Sequence, residues 1–241
     1  FRAVYRFTVS AGFDMSGIQA VVERPRIWTV YVNGQVVEPE SGKWWLDQSF
    51  GVYPAGPWLK PGENAITLEC RPAHIHAEIE PIYLTGNFTV QPAAKGWSVA
   101  APADNLTTGS WKAQGHPFYS WDVTYSRDFN ITSKKQAYSV SAGNWLGTVA
   151  EVFVNGEKAG TLALKTDDVD VTSLIREGSN TIAVKVTGSL KNLLGPHHNN
   201  PAPGLVSPWT WRNIKSYTPG SGYQLKDYGL MDDFRLTESV Q

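Results

Sequence analysis

The stretch that decides the fold is Lys60-Pro61-Gly62-Glu63-Asn64-Ala65-Ile66-Thr67-Leu68, because it returns 116 residues later as Arg176-Glu177-Gly178-Ser179-Asn180-Thr181-Ile182-Ala183-Val184. A second correspondence has a shift of 122: Phe7 precedes Asn33-Gly34 by 26 positions, and Phe129 precedes Asn155-Gly156 by the same number. Gly-x-Asn before an apolar run closes a loop and starts a strand. Asn-Gly between Val-rich runs suits a tight hairpin, since both residues tolerate positive φ. The chain is therefore predicted to contain two copies of one β unit.

Strands dominate the rest of the sequence. Runs such as 27–32, 150–154 and 181–186 are β-branched or aromatic, and 22 Gly and 15 Pro interrupt the chain often. No stretch of a dozen residues shows a clear helical period. We therefore predict an all-β protein of two tandem β-sandwiches of the jelly-roll type, with the first at 1–95, a linker at 96–110 and the second at 111–241.

Composition narrows the classes of function. The 241 residues carry 21 Lys and Arg against 22 Asp and Glu, a net charge of -1, which argues against nucleic acid or an anionic membrane as partner. No apolar run approaches the roughly 20 residues of a membrane span. The lone cysteine, Cys70, excludes an internal disulfide and is expected to be a small apolar side chain. Because the chain starts at Phe1, we expect a mature or excised piece.

Aromatic residues are unusually frequent, with ten Trp, ten Tyr and nine Phe. These rings either fill β-sandwich cores or line a ligand surface, and a flat apolar face beside polar groups suits a sugar ring. In Trp44-Trp45 only one of two adjacent strand residues can face the core. The other is expected to point outward or to a domain interface.

Several segments resemble a known family. Val-Phe-Val-Asn-Gly-Glu-Lys-Ala-Gly at 152–160, the run 170–175 and the run 178–184 resemble the galactose-binding-like jelly roll that accompanies family 2 glycoside hydrolases. Segments 80–88, 115–119 and 189–198 resemble the non-catalytic C-terminal region of large bacterial glycoside hydrolases, including the α-L-rhamnosidase type. The resemblance implies two galactose-binding-like domains of a secreted, periplasmic or cell-surface bacterial enzyme with an upstream catalytic domain as partner. No barrel with catalytic carboxylates is present in this sequence.

The long segment 191–228 is the candidate binding loop, since ordered loops of this length tend to be functional. Sugar C–H faces stack on aromatic rings while polar side chains satisfy the hydroxyls. In Trp209-Thr210-Trp211 the two indoles lie on one face of an extended segment. The predicted stacking residues are Trp209, Trp211 and Tyr217, and the predicted hydroxyl partners are Arg212, His197, His198 and Asn199. The alternatives are that these rings plug the sandwich core or pack against a catalytic domain.

Two clusters invite a metal interpretation, and neither is preferred. One cluster alternates with apolar residues and would lie on one face of a strand: His74, His76, Glu78 and Glu80. This face could hold a metal ion, but the simpler interpretation is that it is the solvent-exposed face of the strand. Asp167, Asp168 and Asp170 suggest a structural calcium, but Asp170 before Val-Thr-Ser-Leu also suits the cap of a short turn. We expect no cofactor, with calcium as the weaker alternative.

No catalytic motif stands out, because no pair of carboxylates is nominated by the sequence and no nucleophile elbow or zinc motif is present. The sequence thus favours a non-catalytic carbohydrate-binding module that binds a plant or microbial polysaccharide and targets an attached glycoside hydrolase to it. The alternative is a pair of structural accessory domains with no sugar binding of their own.

Overall fold

The computed structural model describes residues 1–103, 105–133, 137–164, 168–195, 197 and 219–239. The predicted all-β class is confirmed, since strands account for nearly all of the regular structure in these ranges. The chain falls into two compact units. Unit 1 comprises Phe1–Ala103 and the short piece 219–221, and unit 2 comprises the rest of the described chain. No helix within the described ranges has the length and apolar character needed to cross a membrane.

Unit 1 contains ten strands. They are β1 (Arg2–Val9), β2 (Gln19–Glu23), β3 (Thr29–Val32), β4 (Gln35–Val37), β5 (Trp44–Trp45), β6 (Asp47–Tyr53), β7 (Gly62–Glu69), β8 (Tyr83–Thr85), β9 (Thr89–Pro92) and β10 (Trp97–Ala100). Single 3₁₀ turns occupy Pro25–Ile27 and Gly56–Trp58.

The strands of unit 1 form two sheets around one core. The six-stranded sheet has the order β4-β3-β7-β1-β10-β9, and the four-stranded sheet has the order β5-β6-β2-β8. Ile66 and Leu68 from the first sheet and Ala20 and Val22 from the second are buried in the same cluster. Burial of each of the larger side chains, Ile66, Leu68 and Val22, contributes roughly 1.5–3 kcal/mol. The alternation of buried and exposed residues along β7 therefore fixes which face turns inward.

Unit 2 contains nine strands and one helix. They are β11 (Asp122–Ile131), β12 (Ala137–Ser141), β13 (Trp145–Leu146), β14 (Val149–Val154), β15 (Glu157–Leu162), β16 (Asp168–Asp170), β17 (Gly178–Thr187), β18 (Gly229–Leu230), β19 (Arg235–Ser239) and the single-turn helix α1 (Lys191–Leu194). The 3₁₀ turn Lys112–Gln114 precedes β11, and another, Gly220–Gly222, follows α1 in the chain.

Unit 2 is built in the same way. One sheet has the order β11-β17-β14-β15, a second has the order β16-β12-β19, and β13 pairs with β18. The shared core takes Val184 and Val152 from the first sheet and Tyr138 and Val140 from the second. At its centre the buried Trp111 indole donates a hydrogen bond to the Tyr125 hydroxyl at 2.7 Å. That bond satisfies the one polar atom that the ring would otherwise bury unpaired.

The two sequence landmarks meet in space in each unit. In unit 2 the Asn155 Nδ2 donates to Asn180 Oδ1 at 3.0 Å, while the Thr181 N–H donates to Asn155 Oδ1 at 3.0 Å. Buried Asn180 also accepts from the Arg176 N–H and donates to the Arg176 and Gly178 carbonyls. We call this pair, with its hydrogen bonds, the asparagine clamp.

Unit 1 repeats the asparagine clamp bond for bond. Asn33 Nδ2 donates to Asn64 Oδ1 at 2.8 Å, and the Ala65 N–H donates to Asn33 Oδ1 at 2.9 Å. Asn33 and Asn155 both adopt positive φ, 49° and 51°, and a positive-φ glycine follows each. The repeat therefore records a shared structural device, in which each Asn-Gly hairpin is tied to the loop that starts the next long strand.

Two stretches differ from the sequence prediction. Residues 97–100, within the predicted linker 96–110, form β10, which pairs in parallel with β1 in the large sheet of unit 1. The predicted strand at 74–80 is wrong: the segment is irregular, with a turn closed by the Ala77 N–H and the His74 carbonyl. Its isoleucines are exposed, Ile75 at 92%, so the alternation marks no buried face.

Candidate functional site

The described part of the predicted binding loop is fastened to one edge of unit 2. We call this edge, made of residues 116–121, 189–195, 197 and 223–228, the loop-base edge. Ser189 is the first residue of the second segment of this edge. Its Oγ accepts from the Lys191 N–H at 3.2 Å and lies 2.5 Å from the Tyr228 hydroxyl. One turn of helix, α1, follows and ends at Gly195, whose φ of +85° favours glycine.

Asn192 joins the three segments of this edge. Its side chain is buried, and its Nδ2 donates to the carbonyls of Pro117 and Lys226, both at 2.8 Å. Its Oδ1 accepts from the Lys226 N–H at 2.8 Å. A buried amide that lost these partners would cost about 1–3 kcal/mol for each unsatisfied group. Asn192 therefore fixes the positions from which the long loop departs and to which it returns.

His197 is the one predicted site residue that the structure describes. Its ring stacks on Tyr223, with centroids 5.5 Å apart and planes inclined by 24°, and meets the edge of Phe118 at 5.7 Å. Its Nε2 donates to the Asn192 carbonyl at 2.6 Å, which assigns the proton to that nitrogen. The half-buried ring is thus part of the packing that anchors the loop.

The other predicted site residues lie outside the described residues. They are Trp209, Trp211, Arg212, Tyr217, His198 and Asn199. After His197 the next described residue is Pro219.

Two exposed rings that were not predicted from the sequence lie on the same edge. Trp121 is 50% exposed just before β11, and its carbonyl accepts from the Gly188 N–H at 3.1 Å. Tyr119 is also exposed, and its ring packs edge-on against Trp111 at 5.8 Å. The alternate spacing of Tyr119 and Trp121 is the same signal that singled out Trp209 and Trp211.

The loop-base edge carries Lys191, Lys226 and Asp227, and Lys112 lies beside Asp227. Burial, and then the neighbouring charge of Lys226, lower the pKa of the Lys191 amine. Burial opposes ionisation of Asp227, but hydrogen bonds from Ser110 and Lys112 outweigh it, so the pKa of Asp227 lies below its usual value. Lys112 Nζ lies 3.0 Å from Asp227 Oδ1. The exposed rings therefore share their edge with hydrogen-bond donors.

Burial also shifts the aromatic and imidazole groups of this edge. It raises the pKa of Tyr119, helped by the charge of Asp122, and it raises the pKa of Tyr223. Burial lowers the pKa of His116. These groups are therefore held in their neutral forms around neutral pH, and the Tyr119 hydroxyl donates to the Asp122 carbonyl at 3.0 Å.

Two of the aspartates that suggested a calcium site lie at a strand and a turn of unit 2. Within the described ranges no three His, Cys, Asp or Glu side chains come together in a metal-binding group. Asp168 and Asp170 belong to β16, whereas Asp167 lies outside the described residues. Asp170 Oδ1 accepts from the Thr172 N–H at 2.8 Å and so caps the turn at 171–175. Asp170 thus has the capping role that was the alternative to a calcium site.

The known proteins that this chain is similar to include several glycoside hydrolases. No protein-family model matches it. A putative beta-glucuronidase from Formosa agariphila is 30% identical over 129 residues, which are 48% of this chain. The match spans 10% of that curated relative's length.

Solved structures give similar matches. A rhamnosidase from Novosphingobium sp. PP1Y is 20% identical, with 98% of this chain and 25% of that chain covered and a TM-score of 0.40. A beta-D-mannosidase from Dictyoglomus thermophilum is 17% identical, with 64% and 22% covered and a TM-score of 0.35. The resemblance to glycoside hydrolase chains noted from the sequence is confirmed.

Proposed function

We propose that this chain is a non-catalytic carbohydrate-binding module of a larger, secreted bacterial glycoside hydrolase. The observation that carries the proposal is the half-exposed indole of Trp121, which stands with Tyr119 on the edge that anchors the long loop. Its partners would be a polysaccharide and the catalytic domain of the parent enzyme. The 30% identity to a putative beta-glucuronidase supports that setting.

The proposed mechanism is binding without bond cleavage. Trp121, together with Trp209, Trp211 and Tyr217, would stack on sugar faces. Arg212, His198 and Asn199 would hydrogen-bond the hydroxyls, whereas His197, also predicted as a hydroxyl partner, anchors the loop through its bond to the Asn192 carbonyl. Each site is weak by itself, because shallow polar ligands leave little free energy after desolvation. The gain to the enzyme is a higher effective concentration near its polymer.

Affinity electrophoresis of the whole chain in gels with soluble polysaccharides tests the proposal. At least one polysaccharide should retard the wild-type protein. Trp121→Ala should raise the dissociation constant for that polysaccharide about tenfold, which corresponds to the loss of one stacking contact. Trp58→Ala is the matched control, because Trp58 is an exposed indole of unit 1 and is 44% exposed.

Three outcomes would contradict the proposal or parts of it. If no polysaccharide retards the wild-type chain, the structural accessory role replaces the binding role. Full retention of binding by Trp121→Ala, Trp209→Ala and Trp211→Ala together would remove the site assignment. Release of reducing sugar by the purified chain, abolished by replacing one carboxylate, would replace the non-catalytic assignment with a hydrolase.

A further inference from the structure

The four-stranded sheet of unit 1 carries apolar side chains on the face turned away from its core. Ala20 and its partner Tyr53 belong to the core cluster. The next pair along the strands is Val21 and Val52, which must point to the opposite face because successive strand residues alternate. Both valines are nevertheless buried. Other side chains therefore cover this outer face.

Three aromatic rings lie near this face, since Tyr83 pairs with Val21 and Phe50 pairs with Glu23. Trp45 and Tyr83 stand on β5 and β8, the two edge strands of the sheet, about 14 Å apart at a spacing of roughly 4.8 Å per strand. Their ring centroids are nevertheless only 5.3 Å apart, with planes inclined by 46°. Phe50 lies 6.2 Å from Tyr83. We call these half-buried rings, Trp45, Phe50 and Tyr83, the ring platform.

The fold itself does not require a ring platform. In unit 2 the equivalent sheet has β12 in the middle, as β2 is in unit 1, and Tyr138 and Val140 face the core. On its outer face Ser139 pairs with Asp170 and Thr237. The neighbouring row is Ser141 with Asp168 and Arg235. One copy of the unit is thus polar where the other presents aromatic rings.

Polar groups border the ring platform. Gln19, on the same face as Val21, donates through Nε2 to Glu40 Oε1 at 2.6 Å, and Glu40 forms an ion pair with Lys43. Glu23 pairs with Phe50 across the sheet. Burial, and then the charges of Glu80 and Glu23, raise the pKa of Tyr83. The carboxylates near the ring platform, Glu23, Glu40 and Glu80, outnumber the cations paired with them, Arg24 and Lys43, and this excess disfavours an anionic ligand.

We propose that the ring platform is a second saccharide-binding face that takes chains of neutral sugars and not of uronic acids. This rests on the carbohydrate-binding function proposed above and adds a site on the other unit. The 46° between the Trp45 and Tyr83 rings fits a chain whose successive sugars are rotated about its axis. Gln19, Glu23 and Glu40 offer the amide and carboxylate groups that sugar hydroxyls need.

The test compares two adjacent tryptophans on the same strand in the whole chain. Trp45→Ala should weaken binding to a neutral polysaccharide about tenfold by affinity electrophoresis or calorimetry. Trp44→Ala is the control: Trp44 is 54% exposed and faces the other side, paired with Gly51, so binding should stay within about twofold. Wild type should bind a uronic acid polymer of matched length at least about tenfold more weakly than the neutral one.

Trp45→Leu guards against unfolding, because leucine keeps Val21 and Val52 covered while the aromatic face is lost. It should fold with a thermal midpoint near that of wild type and still bind weakly. Normal binding by a folded Trp45→Leu variant, or equal binding of neutral and uronic polymers, would overturn the ring platform as a site.

The outcomes separate this inference from the proposed function. If Trp121→Ala weakens binding and Trp45→Leu does not, the ring platform fails and the loop-base edge stands. The reverse result supports the ring platform and removes the loop-base edge. Absence of binding to every polymer overturns both.

Discussion

Single asparagines hold together chain segments that are far apart in sequence. Asn180 is fully buried in the asparagine clamp of unit 2, where its side chain bonds Asn155, Arg176 and Gly178. Alanine would leave the Arg176 N–H and two carbonyls without their partner. Because buried unsatisfied groups retain their full desolvation cost, we expect Asn180→Ala to lower the free energy of unfolding by about 3 kcal/mol.

Denaturant titration of the whole chain, followed by tryptophan fluorescence, checks this value. Asn130→Ala is the matched control, since Asn130 is an exposed strand residue of the same unit, and it should change stability by less than about 0.5 kcal/mol. Equal effects of the two substitutions would show that the asparagine clamp contributes little.

Asp227 predicts a dependence of stability on pH. Its folded pKa is depressed by hydrogen bonds from Ser110 and Lys112, which outweigh the effect of burial. A depressed carboxyl pKa contributes stability that is present above the unfolded value of about 3.9 and is lost as pH falls through the folded pKa. The side chain is 44% exposed, so solvent screening limits the contribution to less than about 1 kcal/mol.

Thermal melts of Asp227→Asn against wild type at pH 7 and pH 3 measure this linkage. The variant should melt lower at pH 7, and the difference should shrink at pH 3. Asp232→Asn, an exposed carboxylate in the same unit, is the control and should melt like wild type at both values. A difference between Asp227→Asn and wild type that grows toward low pH would contradict the assignment.

At the scale of elements, α1 is a single turn that owes its place to one side chain. Asn192 holds the Lys226 N–H and the Pro117 carbonyl, and its own carbonyl accepts from His197. The Gln224 N–H donates to the His197 carbonyl at 2.8 Å. Asn192→Ala should therefore speed the exchange of the Lys226 and Gln224 amide hydrogens about tenfold or more, through local opening. Amides of β17 serve as the internal control, and faster exchange there as well would indicate global destabilisation.

Sequence patterns predicted the elements where local chemistry and burial agree. The Asn-Gly hairpins, the Gly-x-Asn strand starts and the alternating strand β17 all follow from residue types. The strand predicted at 74–80 is absent from the structure, because alternation of polar and apolar residues indicates a strand only where a neighbouring strand and a core are available. Ile75 and Ile79 have neither and stand exposed.

The candidate site was less accessible to sequence reasoning. His197 was singled out for its hydrogen-bonding groups, yet its position depends on Phe118 and Tyr223, which are 79 and 26 residues away. Trp121 was not nominated, because exposure of a ring at the start of a strand depends on what packs beside it. Trp45 packs on Tyr83 beside a register shift between Trp44 and Trp45, which the residue types do not reveal.

At the scale of the whole molecule, the two cores predict two unfolding transitions. Val32 is fully buried in the core of unit 1 and Val152 in that of unit 2. Truncation to alanine should cost about 2 kcal/mol and lower the melting of the affected unit by roughly 10 °C. In differential scanning calorimetry Val32→Ala and Val152→Ala should therefore displace different peaks.

A single transition with equal calorimetric and van't Hoff enthalpies would show instead that the chain unfolds as one cooperative body. Displacement of the same peak by both substitutions would carry the same meaning. The two-peak result would support the proposed division into tandem domains.

The asparagine clamp also bears on how the protein ages. Asn-Gly sequences are the fastest sites of spontaneous deamidation, because the glycine nitrogen attacks the side-chain carbonyl of the asparagine with little hindrance. In this protein Asn33 and Asn155 have both their amide oxygen and their amide nitrogen engaged, with Ala65 and Asn64 in one unit and with Thr181 and Asn180 in the other. The side chains are held away from the cyclic imide geometry, so conversion to isoaspartate has to wait for the hairpin to open. The rate of isoaspartate formation at the two Asn-Gly dipeptides therefore reports how often their hairpins open.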